Sequence, residues 1–416
     1  MTGIRIRYQG EPREFVAHKI PLAYLVYNKL NARVGSLVKS YQKQYWELNT
    51  EDPKDTVKIE AFLWESKPDR NKTTLESLAK DGQQRYGIVT DDGTIIDGNR
   101  RAMLLNRVWR DREEWERQSL NVEHCQYFIA VILPEGADQK EVMKLETTYQ
   151  MGEDEKLDYN PIEKYLRCKD LRGADFSVSD IAAMMGEKKS RIEEWLEIMK
   201  LMDDYLDTLD YGGIYTRLDR REGQFVDLNK YLKTYNDGSK KVLWKCEDSD
   251  LADLKSVCFD YIRALYEGKE FRYIAKPSQK DSIFCREDLW KTFLNEHAQK
   301  VEGIEEKPVR QLLTENPDSD LSKLLEQRDN DWTKKAKGLL EGNLNKRVRS
   351  LEDLKASSQP RELLQRAKDT LDVVNTEVRE FYTDDKIITL LKDISSLCWD
   401  YQKLINKERK AERWQE

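Results

Sequence analysis

Strand-like alternation in the first part of the chain gives way to helical spacing in the second. Alternating apolar and polar residues predict a short strand at 4–8, and the apolar run 127–133 predicts a buried one. Between them, segments 86–90 and 94–96 flank a glycine turn and predict a hairpin. From Gln139 onward the apolar spacing is helical almost to the end. The pattern predicts an α+β fold, with a small mixed sheet first and all-α regions after it.

The segment before the hairpin carries weaker signals. One helical face is formed by Val38, Tyr41, Tyr45 and Leu48. The polar stretch that follows, 49–58, predicts a loop. These signals place a helix and a loop between the first strand and the hairpin.

Two amphipathic stretches near the end, 363–381 and 387–405, predict a helical hairpin. The residues between them, Thr383-Asp384-Asp385, can cap the second helix. Periodicity favours an internal core for the apolar stripe of this hairpin, and dimerisation or partner docking is the alternative.

The 416 residues suffice for two or three domains with cores of their own. Breaks in the pattern divide the chain further. The expected regions are an N-terminal α+β domain at 1–155, a helix-turn-helix domain at 156–237, a helical connector at 238–305 and a C-terminal helical domain at 306–416.

Composition narrows the class of protein. Charged residues make up 36% of the chain, and neither a membrane span nor the apolar core of a signal peptide is present. Six scattered cysteines and three distant histidines argue against disulfides and zinc clusters, so we expect a cytoplasmic protein without membrane partners. The net charge of −7 requires any nucleic-acid contact to come from a local surface.

The first motif is the glycine turn Asp97-Gly98-Asn99-Arg100-Arg101 at a predicted helix start. Glycine lets the backbone approach a ligand, and the free N–H groups of a helix start favour an anion. Arginine forks match phosphate oxygens. The motif therefore predicts a polyphosphate site, although adjacent arginines at such a turn are more often simply solvated.

The second motif begins with Glu146 and Thr147, whose oxygens could serve a hard cation such as magnesium. It is followed by Asn160-Pro161, a cap and first residue typical of a helix start. The alternative interpretation of this motif is a solvated helix end.

The third motif, residues 176–196, is a helix-turn-helix signature. A serine, Ser177 or Ser179, caps its first helix and Gly186 makes the turn. In a DNA reader the groove would face Lys188, Lys189, Ser190 and Arg191. Such units also serve as protein interfaces.

The order of these motifs resembles the ParB/sulfiredoxin-like superfamily, and its ParB branch in particular, over roughly residues 15–235. Asn31-Ala32-Arg33 is similar to the early Asn-x-Arg of that family, and 78–82 to its helix-to-glycine step. Residues 98–102 resemble the Gly-Glu-Arg-Arg box that grips the triphosphate. Residues 146–150 stand in the place of the Glu-Asn-x-x-Arg box.

The resemblance implies that the N-terminal domain binds CTP, or ATP or GTP as in relatives, together with Mg²⁺. Binding and hydrolysis would then switch a DNA-bound dimer. The nucleotide-binding residues it implies are Arg33, Gly82, Gly98, Asn99, Arg100, Arg101, Thr147 and Gln150. Glu146 would be catalytic and, with Thr147, would lie at the metal. The DNA-binding set is Ser177, Ser179, Lys188, Lys189, Ser190 and Arg191.

Departures from the family limit what the resemblance implies. Thr147 replaces the magnesium-binding asparagine, and Gln150 replaces an arginine that would clamp a phosphate. Asn99 stands where sulfiredoxins carry their catalytic cysteine, so peroxiredoxin repair is excluded. The region after 237 does not resemble the dimerisation domain of chromosomal ParB. Binding of a nucleotide is thus favoured over its hydrolysis.

The leading hypothesis is a prokaryotic, ParB-like DNA-binding protein that uses a nucleoside triphosphate as a switch in plasmid or phage partition, regulation or defence. Its expected partners are double-stranded DNA, a second copy of the chain, and a ParA-like ATPase or a defence protein. One alternative is an NTP-hydrolysing or phosphotransferase component of an anti-phage nuclease system. Another is a non-catalytic adaptor with a degenerate nucleotide site.

Overall fold

The fold is α+β, as the sequence predicted, with small sheets and a large helical part. The computed structural model describes residues 3–29, 31–152, 160–237, 242, 244–266, 268–316 and 319–412. Within these ranges, the strands are β1 Ile4–Tyr8, β2 Glu11–Phe15, β3 Ala17–Pro21, β4 Gly87–Val89, β5 Ile95–Asp97 and β6 Tyr127–Ile132.

The strands form a β1–β2 hairpin and a four-stranded sheet in the order β3-β6-β4-β5. The β4–β6 pair is parallel, whereas β3–β6 and β4–β5 are antiparallel. A parallel pair needs a long crossover, and the chain supplies it with β5 and the helices that follow. The predicted hairpin, the buried strand and the mixed sheet are all confirmed.

Helices of the N-terminal region pack around this sheet. They are α1 Gly35–Gln44, α2 Pro53–Glu65, α3 Pro68–Asp81, α4 Asn99–Arg110, α5 Arg112–Arg117 and α6 Gln139–Thr147. The first five cover one face, whereas α6 packs on the other face through Leu145. Along β4 and β5, successive residues point to opposite faces of the sheet and pack into two different cores. Val89 and Ile95 join the core under α4, while Ile88 and Ile96 pack with the β1–β2 hairpin. β4 and β5 are therefore buried on both faces, whereas the edge strand β3 is partly exposed.

The loop predicted at 49–58 is wrong in its second half, because α2 begins at Pro53. Asp52 accepts a hydrogen bond from the Lys54 N–H at 2.8 Å and caps the helix, with Pro53 at its first position. Leu48 is buried outside any helix, since α1 has already ended at Gln44. The pair Asp52-Pro53 is a local signal for a helix start, but the polar composition of the segment predicted a loop instead.

The second half is helical. Its helices are α7 Pro161–Gly173, α8 Val178–Met185, α9 Lys189–Thr208, α10 Glu222–Asn236, α11 Asp248–Arg263, α12 Lys269–Ala275, α13 Glu287–His297, α14 Val309–Glu315, α15 Leu321–Asp372, α16 Arg379–Thr383 and α17 Asp385–Glu412. The chain separates into two compact units, 1–348 and 349–416. The predicted boundaries at 155/156 and 237/238 fall at residues outside the described ranges, and the one at 305/306 lies inside the first unit.

A buried ionic cluster joins helices of the first unit around Asp329 of α15. Its carboxylate accepts hydrogen bonds from Tyr211 at 2.7 Å, from Arg263 Nε at 2.8 Å and from Arg217. Glu306 extends the cluster by pairing with Arg263 at 2.7 Å. Burial opposes ionisation of Asp329, but the Arg263 and Arg217 guanidinium groups hold its pKa below the usual value. The cluster thus connects α11, α15 and the segment after α9.

In the second unit, the expectation of an internal core for the apolar stripe is wrong. Leu363, Leu390 and Leu404 are 54%, 59% and 61% exposed. Periodicity identifies an apolar face but not what covers it. The predicted cap of the last helix is present, since Asp384 accepts a hydrogen bond from the Lys386 N–H at 2.9 Å. Among the described helices of the whole chain, none is both long and apolar enough to cross a membrane.

Candidate functional site

Gly98 forms the turn between β5 and α4. Its φ of 104° lies in the left-handed region that favours glycine. A Cβ atom added here would lie 2.6 Å from the Phe128 ring, so the turn packs directly on β6. α4 starts at Asn99 without a side-chain cap. The N–H groups of its first turn have no partner within the helix, which leaves a local site for an anion.

Arg100 and Arg101, on the first turn of α4, both bond within the protein. Arg101 Nη2 pairs with Asp97 at 2.8 Å, and its Nη1 donates to both carbonyl oxygens of residues 85–86. Arg100 Nη2 donates to Thr74 Oγ1 at 3.4 Å. Arg101 therefore ties the start of α4 to the segment before β4. An anion at the turn would have to draw this side chain from Asp97.

Asn99 is buried and faces the protein rather than the turn's outer surface. Its Oδ1 accepts a hydrogen bond from the Asn28 N–H at 2.9 Å, and its Nδ2 donates to the Ile95 carbonyl at 3.0 Å. Asn28 in turn donates from Nδ2 to Glu146 at 3.4 Å. Asn99 thus holds the loop before α1 against the start of α4.

Glu146 is fully buried at the end of α6, and its carboxylate is surrounded by donors. It accepts hydrogen bonds from the Ala32 N–H at 3.1 Å and from Arg167 Nη2 of α7 at 2.9 Å. Burial raises the pKa of this carboxyl, while the Arg167 charge and the Ala32 N–H act in the opposite direction. The residue predicted to be catalytic is therefore held inside the protein by three neighbours.

Thr147 and Gln150 are also engaged. Thr147 Oγ1 donates to the Met143 carbonyl at 2.7 Å and accepts from Arg167 Nε at 2.9 Å. Gln150 Nε2 donates to the Ile96 carbonyl at 3.0 Å. Gln150 thereby fastens the segment after α6 to β5, on the strand that leads into Gly98.

Magnesium binds through several open oxygen ligands. Both predicted ligands, Glu146 and Thr147, instead direct oxygens at the Arg167 guanidinium. In the described part of the chain, no group of three or more His, Cys, Asp or Glu side chains could hold a metal ion. The residues as arranged do not fit a magnesium ion.

The three sequence segments that carry the resemblance nevertheless meet. The loop before α1 bonds to Asn99 through Asn28 and to Glu146 through Ala32, although Ala32 and Glu146 lie 114 residues apart. Arg33, on the same loop, lines a separate cavity of about 320 Å³. Gly82 ends α3, and a Cβ added there would meet the His124 ring at 3.2 Å. Among the described residues, hydrogen bonds thus unite the first, central and acidic motifs, whereas Gly82 lies beside His124.

One face of α7 carries polar contacts to the N-terminal region. Glu163, Arg167 and Asp170 are spaced i, i+4 and i+7, which places them on this common face, hereafter the α7 polar face. Glu163 accepts hydrogen bonds from the N–H and hydroxyl of Ser36 at the start of α1. Asp170 pairs with Lys39, which is also on α1. Since α7 leads into the helix-turn-helix, this face connects that unit to the N-terminal region.

The pKa of Glu163 predicts a pH-dependent stability. Burial raises this pKa to about 7 despite the two Ser36 hydrogen bonds. The folded state then binds the proton more tightly than the unfolded state, so the stabilisation is complete below the ordinary pKa and is lost as pH rises to about 7. Relative to Glu163→Gln, we expect the wild-type free energy of unfolding to fall by on the order of 3 kcal/mol between pH 4.5 and 7.

Urea denaturation of both proteins across this pH range measures the difference. Glu193→Gln, at an exposed position on α9, serves as the control and should parallel the wild type. Parallel profiles for wild type and Glu163→Gln would show that Glu163 stays ionised in the folded protein.

The helix-turn-helix signature corresponds to α8 and α9, packed against α7. Ser177 caps α8 in a capping box with Asp180, and Gly186 makes the turn with a φ of 60°. Ser177 thus has a structural role, while Ser179 is exposed beside it. The start of α9 exposes Lys188, Lys189, Ser190 and Arg191. Arg191 also pairs with Glu194 at 2.7 Å, an exposed contact that DNA phosphate could replace.

Asn28 and Arg167 were missed by sequence reasoning. Arg167 lies four residues after Glu163 on a predicted helix, but nothing local marks a charged residue as buried. Asn28 stands three residues before Asn31, without a motif of its own. Asn28 bonds to Asn99, 71 residues away, and Arg167 bonds to Glu146, 21 residues away on another helix, so only the assembled fold reveals them.

Comparison with protein-family models and with curated proteins finds no match to this chain. The ParB-like assignment therefore stays a prediction that rests on its motifs. In the described residues, hydrogen bonds link the glycine turn through Asn99 and Asn28 to the buried Glu146, and Glu146 to α7, the helix that precedes the helix-turn-helix.

Proposed function

We propose that the chain is a ParB-like DNA-binding protein whose N-terminal region binds a nucleoside triphosphate and thereby controls the helix-turn-helix. The observation that carries this proposal is the buried contact between Glu146 of α6 and Arg167 of α7. It joins the acidic motif of the N-terminal region to the first helix of the DNA-binding unit. A change at the Gly98 turn can reach α7 through Asn99, Asn28 and Glu146.

In this proposal the phosphates of CTP, or of ATP or GTP, bind at the start of α4. The N–H groups of its first turn, Arg100 and a released Arg101 supply the donors. Glu146 is a positioning residue here, because its carboxylate is buried against Arg167. The proposal includes no magnesium held by Glu146 and Thr147, and it favours binding over hydrolysis. Double-stranded DNA and a second copy of the chain are its partners.

DNA binding is tested by neutralising the exposed start of α9. For Lys188→Ala/Lys189→Ala/Arg191→Ala we expect affinity for a mixed-sequence duplex to fall on the order of 10²-fold at low salt. The slope of log K against log salt should decrease by about one for each lost phosphate contact. Fluorescence anisotropy at several salt concentrations measures both quantities.

The matched control removes three exposed lysines from α2 and α3, by Lys54→Ala/Lys72→Ala/Lys80→Ala, with the same change in charge. It should leave binding within about twofold of wild type, because salt largely screens charges that lie far from the bound DNA. Equal losses in the two triple variants, or no salt-sensitive binding by wild type, would remove the DNA-reading role. Adding CTP, ATP or GTP to the same assay tests the switch, and Arg100→Ala should suppress any response.

A non-catalytic adaptor is the second candidate. The engagement of Glu146 and Thr147 by Arg167 favours it, because a degenerate nucleotide site would keep such contacts for structure. The exposed apolar side chains of the second unit offer a protein-binding surface. The adaptor predicts normal folding with neither salt-sensitive DNA binding nor any effect of nucleotide.

A further inference from the structure

A groove of about 480 Å³ runs between α1, α6 and the α7 polar face. Its size lies within the range of small-molecule sites, and it lies between predicted domains, where such sites are common. Its lining does not include the Gly98 turn. Its lining includes Lys29, Lys39, Lys140, Met143, Glu163 and Arg167.

The charges of this groove favour an anion. Four cationic side chains line it, against the carboxyls of Glu163, Asp170 and Asp175. Glu163 is held toward its neutral form by burial, as described above. Lys140 is exposed and makes no ion pair with the described residues, its recorded contact being the Phe176 ring at 5.7 Å. Lys140 therefore brings to the groove a positive charge that no ion pair with the described residues neutralises.

Two of the other cations can be shared with a ligand. Lys29 pairs with Glu47, a side chain that is 79% exposed, and Lys39 pairs with the partly exposed Asp170. The Lys29–Glu47 pair is weak because it is open to solvent. The Lys39–Asp170 pair is partly buried but lines the groove, so an entering phosphate can compete for both lysines. Arg167 differs, because its pair with Glu146 is buried and stays intact. Lys29, Lys39 and Lys140 come from three separate elements around the same space.

The inner wall of the groove is apolar at Met143 of α6 and Leu166 of α7. Apolar walls with a few placed charges are the usual composition of a site for an organic ligand. We propose that this groove binds a small organic phosphate, with the phosphate among Lys29, Lys39 and Lys140 and the organic part against Met143 and Leu166. The ligand would brace α7 against α1 and α6. This site is separate from the Gly98 turn and does not depend on DNA binding.

The test uses the full chain with pyrophosphate, AMP, CTP and ATP as separate probes in titration calorimetry. We expect at least one organic phosphate to bind more tightly than pyrophosphate, and Lys140→Glu to weaken that binding at least tenfold. Lys140 is exposed, so this variant should fold normally. Lys54→Glu, at an exposed position on α2 outside the groove, is the matched control and should leave the affinity within twofold. Equal weakening by Lys140→Glu and Lys54→Glu would overturn the proposal, as would the absence of binding by every probe at about 5 mM, roughly the weakest affinity worth assigning.

Lysine footprinting reports on the groove directly, and it distinguishes the groove from the Gly98 turn when a nucleotide binds at both sites. With saturating ligand, the acetylation rates of Lys29, Lys39 and Lys140 should each fall at least about threefold, because bound ligand covers these lysines most of the time. Lys54 and Lys72, exposed on α2 and α3, should react unchanged. Unchanged acetylation at all three groove lysines would overturn the proposal. Failure of the DNA assay would leave this result unaffected.

Discussion

Replacing Arg167 by alanine should lower the free energy of unfolding by about 3–5 kcal/mol. The change leaves the buried Glu146 carboxylate without its cation, and it removes the donor to Thr147 Oγ1. Removing one partner of a buried pair is costly because the remaining charge stays desolvated. Urea denaturation, followed by hydrogen exchange in α6 and α7, measures the loss and locates it.

The control on the same helix is Arg172→Ala, at an exposed position whose side chain reaches only the Phe176 carbonyl among its recorded partners. It should cost about 0.5 kcal/mol or less. In the double variant Glu146→Leu/Arg167→Met both charges leave together, so much of the stability should return. A cost below about 1 kcal/mol for Arg167→Ala would contradict the coupling of α6 to α7.

Asp329→Ala is the second large effect, again about 3–5 kcal/mol. It removes the acceptor shared by Tyr211, Arg217 and Arg263, and leaves two largely buried guanidinium groups with one carboxylate fewer. The loss should appear in α11 and α15 together, because the cluster joins them. Hydrogen exchange of the intact chain distinguishes this shared loosening from local fraying of α15.

Asp331→Ala is the matched control, two residues along the same helix. Its carboxylate pairs with Lys334 at 3.3 Å on an exposed surface, so the expected cost is within about 0.5 kcal/mol. Similar costs for the two aspartates would show that the buried cluster does not hold these helices together. A loss confined to α15 would favour the predicted boundary near 306 as a true folding boundary.

The parts of the fold that the sequence predicted are those with local signals. The β4–β5 hairpin follows from its glycine turn, and α8 follows from the Ser177 cap and Gly186. The start of α4 follows from Gly98, whose φ only glycine adopts readily. Each signal lies within a few residues of the structure it specifies.

The rest depends on contacts between distant segments. The residues around Arg167 give no sign that Glu146 is its partner. Glu146, which was predicted to bind magnesium and to act in catalysis, instead accepts a hydrogen bond from this arginine. The exposure of Leu363 and Leu390 likewise depends on what surrounds their helices, which spacing does not specify. The sequence motifs therefore predicted segments that do come together, while the partners of their side chains were not foreseen.

The order of strands also has a consequence for synthesis on the ribosome. β3 pairs along its whole length with β6, Ala17 opposite Val131, and β4 lies on the other side of β6. Both β3 and β4 pair with β6, which leaves the exit tunnel after them. Neither pairing can begin before β6 has emerged, and each must then close a long loop. The four-stranded sheet of the nascent chain can form only after residue 132 has emerged. Glu146 gains its buried partner later, when Arg167 has emerged. The β1–β2 hairpin can pair at once, but β3, the first strand of the four-stranded sheet to be made, stays unpaired in that sheet until β6 emerges.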